Sequence, residues 1–310
     1  MEVFIVGAGA MGCLYALAFR RGGCKVTLID TNRTHVDAIR ENGLTVETRE
    51  GTEVLDIRAR LPEEASGEAD LIVIFTKTFH TDAALDGVKQ LISPETWVLT
   101  LQNGLGNDEA VARHVARDHV LIGTSAYPSD LVGPGRIRSK GEGWSQLYPA
   151  FTDRDIFARE VANALNAGGF PTHLEPHIHE AIWKKAIFNA AMNPLCALTR
   201  KTPGFFHRHQ ESRDLIHAAV EEGVAVARAS GIDIDAKPIH DLTEVSMPDH
   251  ADHEASMLQD VKAGRRTEVD SINGAIVRAA KAAGMEAPVL ETLWRLVKLE
   301  EAKLAEDAQA

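Results

Sequence analysis

Apolar residues fall along this chain in two rhythms. Short unbroken runs occupy Val3 to Val6, Lys25 to Ile29 (KVTLI), Leu71 to Phe75 (LIVIF), Trp97 to Leu101 (WVLTL) and Val120 to Ile122. Between most of them lie stretches with helical spacing: Ala10 to Arg21, Arg33 to Glu41, Thr81 to Leu91 and Asp108 to Ala116. Strands that are apolar throughout, alternating with helices, predict a parallel sheet covered on both faces. Gly43 to Leu61 breaks the order. Thr45 to Thr48, the turn Arg49–Glu50–Gly51 and Val54 to Ala59 predict an inserted hairpin. Gly133–Pro134–Gly135 predicts a turn between two alternating stretches.

From about Glu175 the helical rhythm takes over, in His179 to Met192, Arg213 to Ser230, His253 to Lys262, Thr267 to Ala283 and Ala287 to Asp307. Gly168–Gly169–Phe170–Pro171 is the candidate hinge. The expected organisation is an α/β, doubly wound domain over residues 1–169 and an all-α domain over residues 170–310.

Charge narrows the partners. Lys plus Arg number 33 against 45 Asp plus Glu, a net charge of -12. That argues against nucleic acid or an anionic membrane surface as partner, so a small anionic substrate needs its own cationic pocket. Cys13, Cys24 and Cys196 are too few and too scattered for a disulfide framework or a zinc site, and a reducing, cytoplasmic compartment is expected. Val3 to Phe19 carries no charge, but Glu2 precedes it, Gly7, Gly9 and Gly12 interrupt it, and Arg20 and Arg21 follow. It reads as a buried strand entering a helix rather than a signal peptide or membrane anchor. The thirteen histidines include groups at His173, His177 and His179, at His207 and His209, and at His250 and His253. None has the spacing of a recognised metal motif, so no metal is expected.

Gly7–Ala8–Gly9–Ala10–Met11–Gly12 is a GxGxxG run between the first strand and the first helix. Gly7 suits a tight turn, Gly9 the approach of a pyrophosphate, and Gly12 close packing of helix on strand. The N–H groups at the helix start, from Ala10 and Met11 onward, suit the phosphates. Asp30, ending the second strand, suits the hydroxyls of an adenosine ribose and repels a 2′-phosphate, so NAD is expected. Arg33 keeps NADP possible, and a capping role for Asp30 fits either cofactor. Lys77 and Asn103–Gly104 follow strand ends, the edge where such sheets bind ligands. Residues there also satisfy local turns.

Ile182 to Leu195 predicts a mostly apolar helix with Lys185, Asn189 and Asn193 at i, i+4 and i+8 on one face. A polar row on a buried helix needs partners or a cleft. Lys184 lies off that row and is expected to meet solvent. Ser256 and Asp260 share a helix face, and Glu268 falls in the first turn of a predicted helix, where a carboxylate also suits the dipole.

Taken together, GAGAMG, Lys77, Gln102–Asn103–Gly104, WKKAIFNAAMNPL and SMLQDVKAGRRTEVDSINGAIV resemble the ketopantoate reductase family, in order and over nearly the whole chain. The resemblance implies a Rossmann-like domain, then a helical domain like the C-terminal domain of 6-phosphogluconate dehydrogenase. It implies reduction of 2-dehydropantoate to (R)-pantoate, for pantothenate and coenzyme A synthesis, usually with NADPH. It assigns catalysis to Lys185 and Glu268, and substrate or nicotinamide contacts to Asn103, Asn189, Asn193 and Ser256. Lys77 resembles a cofactor contact.

Two departures bear on specificity. Asp30 replaces the family's usual basic residue, and Tyr127–Pro128–Ser129–Asp130 is unlike the family's pattern; were it to line the substrate cleft, a different acid would be accepted. The alternative within the family is therefore an NAD-dependent D-2-hydroxy acid dehydrogenase for another acid. Outside catalysis the alternative is an NAD(H)-binding sensor. The amphipathic helical half is compatible with a homodimer.

Overall fold

The computed structural model describes residues 1–249 and 251–307; His250 lies outside the described residues. Among them the chain forms two compact units, Met1–Gln102 with Asn107–Ile178, and Asn103–Gly106 with His179 onward.

The first unit runs β1 (Glu2–Val6), α1 (Ala10–Arg21), β2 (Lys25–Ile29), α2 (Arg33–Asn42), β3 (Leu44–Glu47), β4 (Thr52–Leu55), β5 (Arg58–Arg60) and β6 (Leu71–Ile74). It continues with α3 (Thr81–Gly87), β7 (Trp97–Thr100), α4 (Asn107–Val111), β8 (Val120–Ser125), β9 (Asp130–Gly133), β10 (Arg136–Arg138), β11 (Ser145–Pro149), α5 (Ile156–Ala167) and β12 (Thr172–Leu174). The main sheet has eight strands in the order β12-β11-β8-β7-β6-β1-β2-β5. Every residue of β6 and β8 is buried, which is why these strands read as continuous apolar runs. Val6 pairs with Ile29 on one side and Ile74 on the other, and Ile74 with Thr100. The register brings the segments after β1, β2 and β6 out at one carboxyl edge.

The inserted hairpin has a larger setting than its sequence shows. β3 and β4 pair antiparallel, as expected, but they join β9 and β10 in a separate four-stranded sheet ordered β4-β3-β10-β9. Its buried Val46 and Ile137 belong to the same hydrophobic core as α1 and β1. Arg58–Arg60, expected inside the hairpin, instead adds to the main sheet beside β2.

The division between units also falls later than residue 169. Gly168 closes α5, Phe170 is buried in the first unit's core, and β12 pairs with β11, so the chain remains in that unit through Ile178. The glycine pair is a helix stop, and not the hinge.

The second unit contains α6 (Ile178–Thr199), α7 (Pro203–His207), α8 (Gln210–Ala229), α9 (Ala236–Asp249), α10 (Ser256–Lys262), α11 (Asn273–Ala282) and α12 (Pro288–Asp307). Ile187, Met192, Val220, Leu258, Ile276 and Leu293 share its core. α7 and α9 were not evident from the periodicity. α10 begins at Ser256 rather than His253, and α11 at Asn273 rather than Thr267. Glu301 of α12 accepts from both the Thr267 N–H and its hydroxyl at 2.7 Å, and the Glu268 carbonyl accepts from the N–H groups of Ser271 and Ile272. That stretch is therefore a turn, and Glu268 stands before the helix instead of in its first turn. No helix among the described residues is long and apolar enough to cross a membrane.

Candidate active site

The glycine loop is built as its spacing predicts. Gly7 has φ +98°, and a Cβ there would lie 2.7 Å from the Thr76 nitrogen. At Gly12 a Cβ would sit 2.0 Å from the Gly7 carbonyl oxygen, so α1 packs directly on the turn. Gly9 differs: nothing lies within 4 Å of the position its Cβ would take. The N-cap residue of α1, Gly9, has no side chain to cap the helix, and the first turn holds no acidic residue. The N–H groups of Ala10, Met11 and Gly12 are those a helix start leaves without helical acceptors, and with the open space at Gly9 they make a cradle suited to a pyrophosphate.

Asp30 holds this loop in place. One carboxylate oxygen accepts from the Ala8 N–H and the other from the Asn32 N–H, both at 2.8 Å. Asn32, rather than Asp30, caps α2 by accepting from the His35 N–H. His35 is buried behind the loop. Its Nδ1 accepts from the Gly135 N–H at 3.1 Å, and its Nε2 lies 3.6 Å from Cys13 Sγ, which in turn donates to the Ala8 carbonyl. Burial holds the imidazole below its ordinary pKa despite Asp30 nearby, in keeping with an unprotonated Nδ1. Arg33 reaches away to Glu63 at 3.7 Å. The open cradle and the carboxylate at the end of β2 together fit a dinucleotide.

Lys77 follows β6 in extended conformation and is half-buried. Its loop is fastened by Gln102, which donates to the Thr76 carbonyl at 2.7 Å and accepts from Thr100 at 2.9 Å.

The second unit holds the other group of candidates. Along α6, Lys185, Asn189 and Asn193 share a face; Asn193 is buried and the other two are half-buried. Lys184 lies off this row and pairs with Glu180 at 3.4 Å. Glu268 is 7% exposed and accepts from Asn103 Nδ2 at 3.3 Å. Burial pushes the Lys185 ammonium down to about 8, and the nearby Glu268 carboxylate raises it against that trend. Gly104 explains how Asn103 comes to belong here. Its φ is +84°, and a Cβ would lie 2.2 Å from the Ser271 carbonyl oxygen, which also accepts from the Leu105 N–H at 2.9 Å.

Lys185, Glu268 and Asn103 are thus drawn together. The Asn189 and Asn193 amides form no hydrogen bond with another described residue. Ser256 is exposed at the start of α10 and forms none either, and its face-mate Asp260 is committed to Arg265 at 3.0 Å. Tyr127 is half-buried. Its ring packs on Phe170 (centroids 4.8 Å apart) and edge-on to Tyr15 within the first unit. Sequence reasoning gave no role to Asn273, which is fully buried and donates to the Ala190 carbonyl of α6 at 2.9 Å. The available signal was Pro194, an in-helix proline that leaves a carbonyl needing a donor.

A dinucleotide-binding unit joined to a helical unit that sets a half-buried lysine against a buried carboxylate is the equipment of a nicotinamide-dependent oxidoreductase. The chain belongs to the ketopantoate reductase family. Residues 3–149 match the family model for ketopantoate reductase PanE/ApbA, and residues 177–301 match the model for its C terminal. A 2-dehydropantoate 2-reductase of Streptococcus pyogenes is 32% identical, over 98% of this chain and 99% of its own. One of Pyrococcus horikoshii is 35% identical over 97% and 98%. Among solved structures, D-mandelate dehydrogenase with NADH and anilino(oxo)acetate superposes with TM-score 0.94 at 31% identity, covering 98% of this chain and 99% of that one. A PanE/ApbA family ketopantoate reductase from Ralstonia eutropha gives 0.90 at 31%, covering 98% and 100%.

Proposed function

We propose that this protein reduces a 2-oxo acid to the corresponding 2-hydroxy acid, with 2-dehydropantoate giving (R)-pantoate as the leading reaction. The observation that carries this reading is Lys185, partly desolvated and electrostatically paired with the buried Glu268. The relatives named 2-dehydropantoate 2-reductase support the choice of acid.

When bound, a reduced nicotinamide supplies the hydride that reaches the keto carbon. Gly7, Gly9, Ala10, Met11, Gly12, Asp30 and Lys77 hold the dinucleotide. Lys185 as its ammonium polarises the substrate carbonyl and donates a proton to the developing alkoxide, a role typically worth about 10²–10⁴-fold in rate. Glu268 keeps that ammonium charged and oriented. Asn103, Asn189, Asn193 and Ser256 fix the acid. The dinucleotide is NAD on the strength of Asp30, and the NADH complexes of the mandelate dehydrogenase support that choice.

A second reading has an observation of its own. The structural likeness to D-mandelate dehydrogenase, with Asp30 at the ribose position, favours an NAD-dependent D-2-hydroxy acid dehydrogenase for a bulkier acid. Initial rates with 2-dehydropantoate and with an aromatic 2-oxo acid, each with NADH and NADPH, separate the two. Rapid turnover of 2-dehydropantoate supports the leading reading, and turnover confined to the aromatic acid supports the second. Cofactor binding without turnover of any 2-oxo acid points to a sensor.

The three buried, free cysteines support a cytoplasmic setting. Exposed Leu242 and Val245 on α9 support a homodimer, which light scattering tests.

A further inference from the structure

α6 carries a proline in its interior, Pro194. Proline has no N–H, and its ring crowds the carbonyl four residues earlier, so position 194 supplies no donor to the Ala190 carbonyl. A buried carbonyl left in that state is destabilising, and natural folds rarely tolerate one. Here the donor comes from another element. Asn273, the fully buried first residue of α11, places Nδ2 2.9 Å from the Ala190 oxygen. Asn273 meets this need at its own expense, because its Oδ1 is buried without a partner.

The two ends of this bond are close in sequence to the candidate machinery. Ala190 follows Asn189 and lies one turn before Asn193. On the other side, Asn273 continues directly from the turn that begins at Glu268, which is closed by Ser271 N–H to the Glu268 carbonyl (3.1 Å) and Gly274 N–H to the Val269 carbonyl (2.9 Å). A displacement of Asn273 therefore moves the Glu268 turn relative to α6.

We propose that Asn273 is a positioning residue: its amide replaces the N–H that Pro194 lacks and thereby locks the Lys185–Asn189–Asn193 face of α6 to the turn bearing Glu268. This rests on the reading of Lys185 and Glu268 as acid and partner. Asn273 itself touches neither substrate nor cofactor.

The test is a double-mutant cycle. Pro194→Ala gives position 194 an N–H for the Ala190 carbonyl and should leave kcat within about twofold. Asn273→Ala in the native background should lower kcat/KM at least tenfold, leave NADH affinity unchanged and lower Tm. In the Pro194→Ala background the same change should spare most of the Tm, because the Ala190 carbonyl regains a donor, but should still lower kcat/KM, because the bond between α6 and the Glu268 turn is missing. A second readout does not require turnover: the pH midpoint for modification of Lys185 by an amine reagent, followed by mass spectrometry. Asn273→Ala should move it to lower pH as Glu268 drifts away, and adding Pro194→Ala should not bring it back.

Equal losses of Tm in both backgrounds, native kcat/KM in the double variant, or an unmoved Lys185 midpoint would overturn the proposal. If Asn273→Ala is insoluble alone but soluble with Pro194→Ala, the double variant decides: a lowered kcat/KM and Lys185 midpoint support the proposal and native values overturn it; insolubility in both backgrounds refutes it. Failure of the functional reading would instead appear as absent turnover in the native protein, with the Tm and labelling cycles still measurable.

Discussion

Asn103 donates its side-chain amide to the Glu268 carboxylate across 3.3 Å, joining a loop that follows β7 to a turn 165 residues further along the chain. The bond orients an acidic group that is 7% exposed and would otherwise bring an under-satisfied charge into the interior. It also makes the electrostatic setting of Lys185 depend on three distant segments: α6, the turn at Glu268, and residues 103–106.

That setting gives a pH dependence with a definite sign. Burial lowers the Lys185 ammonium to about 8, and Glu268 acts in the opposite direction. Reduction needs the protonated lysine, so kcat/KM should hold below that pH and fall as the pH rises through it. Oxidation of the hydroxy acid needs the free amine and should rise over the same range. Glu268→Gln removes the influence that raises the lysine, so the falling limb should move to lower pH. The rate at neutral pH should drop tenfold or more. A limb that stays in place in Glu268→Gln would falsify the coupling.

Gly104→Ala tests how residues 103–106 are seated. The added Cβ meets the Ser271 carbonyl oxygen at 2.2 Å in a backbone with φ +84°. Such strain costs about 1–3 kcal/mol, and relieving it means lifting Asn103 from Glu268. The expected result is a fall in kcat/KM of tenfold or more with NADH affinity retained, because the glycine loop is untouched. Steady-state rates with fluorescence titration of NADH separate the two, and parallel losses would contradict the assignment.

Much of the first unit could be read along the chain because its information is local. A continuous apolar strand, a glycine turn and a helix start are each specified within a few residues, and the loop from Gly7 to Gly12 folds accordingly. The second sheet was hidden because β3 pairs with β10, and nothing within Leu44–Glu47 names that partner. The start of α11 was misplaced for a similar reason. Thr267 and Glu268 fit a helical pattern, but the side chain of Glu301 claims the Thr267 N–H from α12. In the site, the row at Lys185, Asn189 and Asn193 follows from helix geometry alone. Asn103 was legible as a strand-end residue, but its role and that of Glu268 came from family resemblance, since their meeting depends on long-range packing. Tyr127 was conspicuous by its type, yet its ring is used inside the first unit.

Asp30 sets an expectation for cofactor choice. Its carboxylate would face a 2′-phosphate, and opposing unit charges ~4 Å apart cost roughly 4 kcal/mol at an effective dielectric of about 20. Asp30→Asn removes that charge but keeps an oxygen for the Ala8 N–H, so the loop should remain in place. The ratio of kcat/KM for NADH to that for NADPH should fall at least tenfold. An unchanged ratio would limit Asp30 to holding the loop, leaving cofactor choice to other groups such as Arg33.

The two glycines that open α1 allow binding to be separated from folding. A methyl at Gly9 meets nothing within 4 Å, and the residue's φ of -67° is one alanine adopts freely. Gly9→Ala should therefore fold with an unchanged Tm, while its methyl occupies the space assigned to the pyrophosphate. NADH affinity should drop by a hundredfold or more, with little direct effect on the Lys185 pH profile measured by labelling. Gly12→Ala is the contrasting case, since its methyl would lie 2.0 Å from the Gly7 carbonyl and force α1 off the turn. That variant should lose thermal stability together with binding. Differential scanning fluorimetry with and without NADH reads both quantities at once. Native affinity in Gly9→Ala would mean that the open cradle is not where the phosphates sit, whereas weak binding at full stability would place them against the first turn of α1.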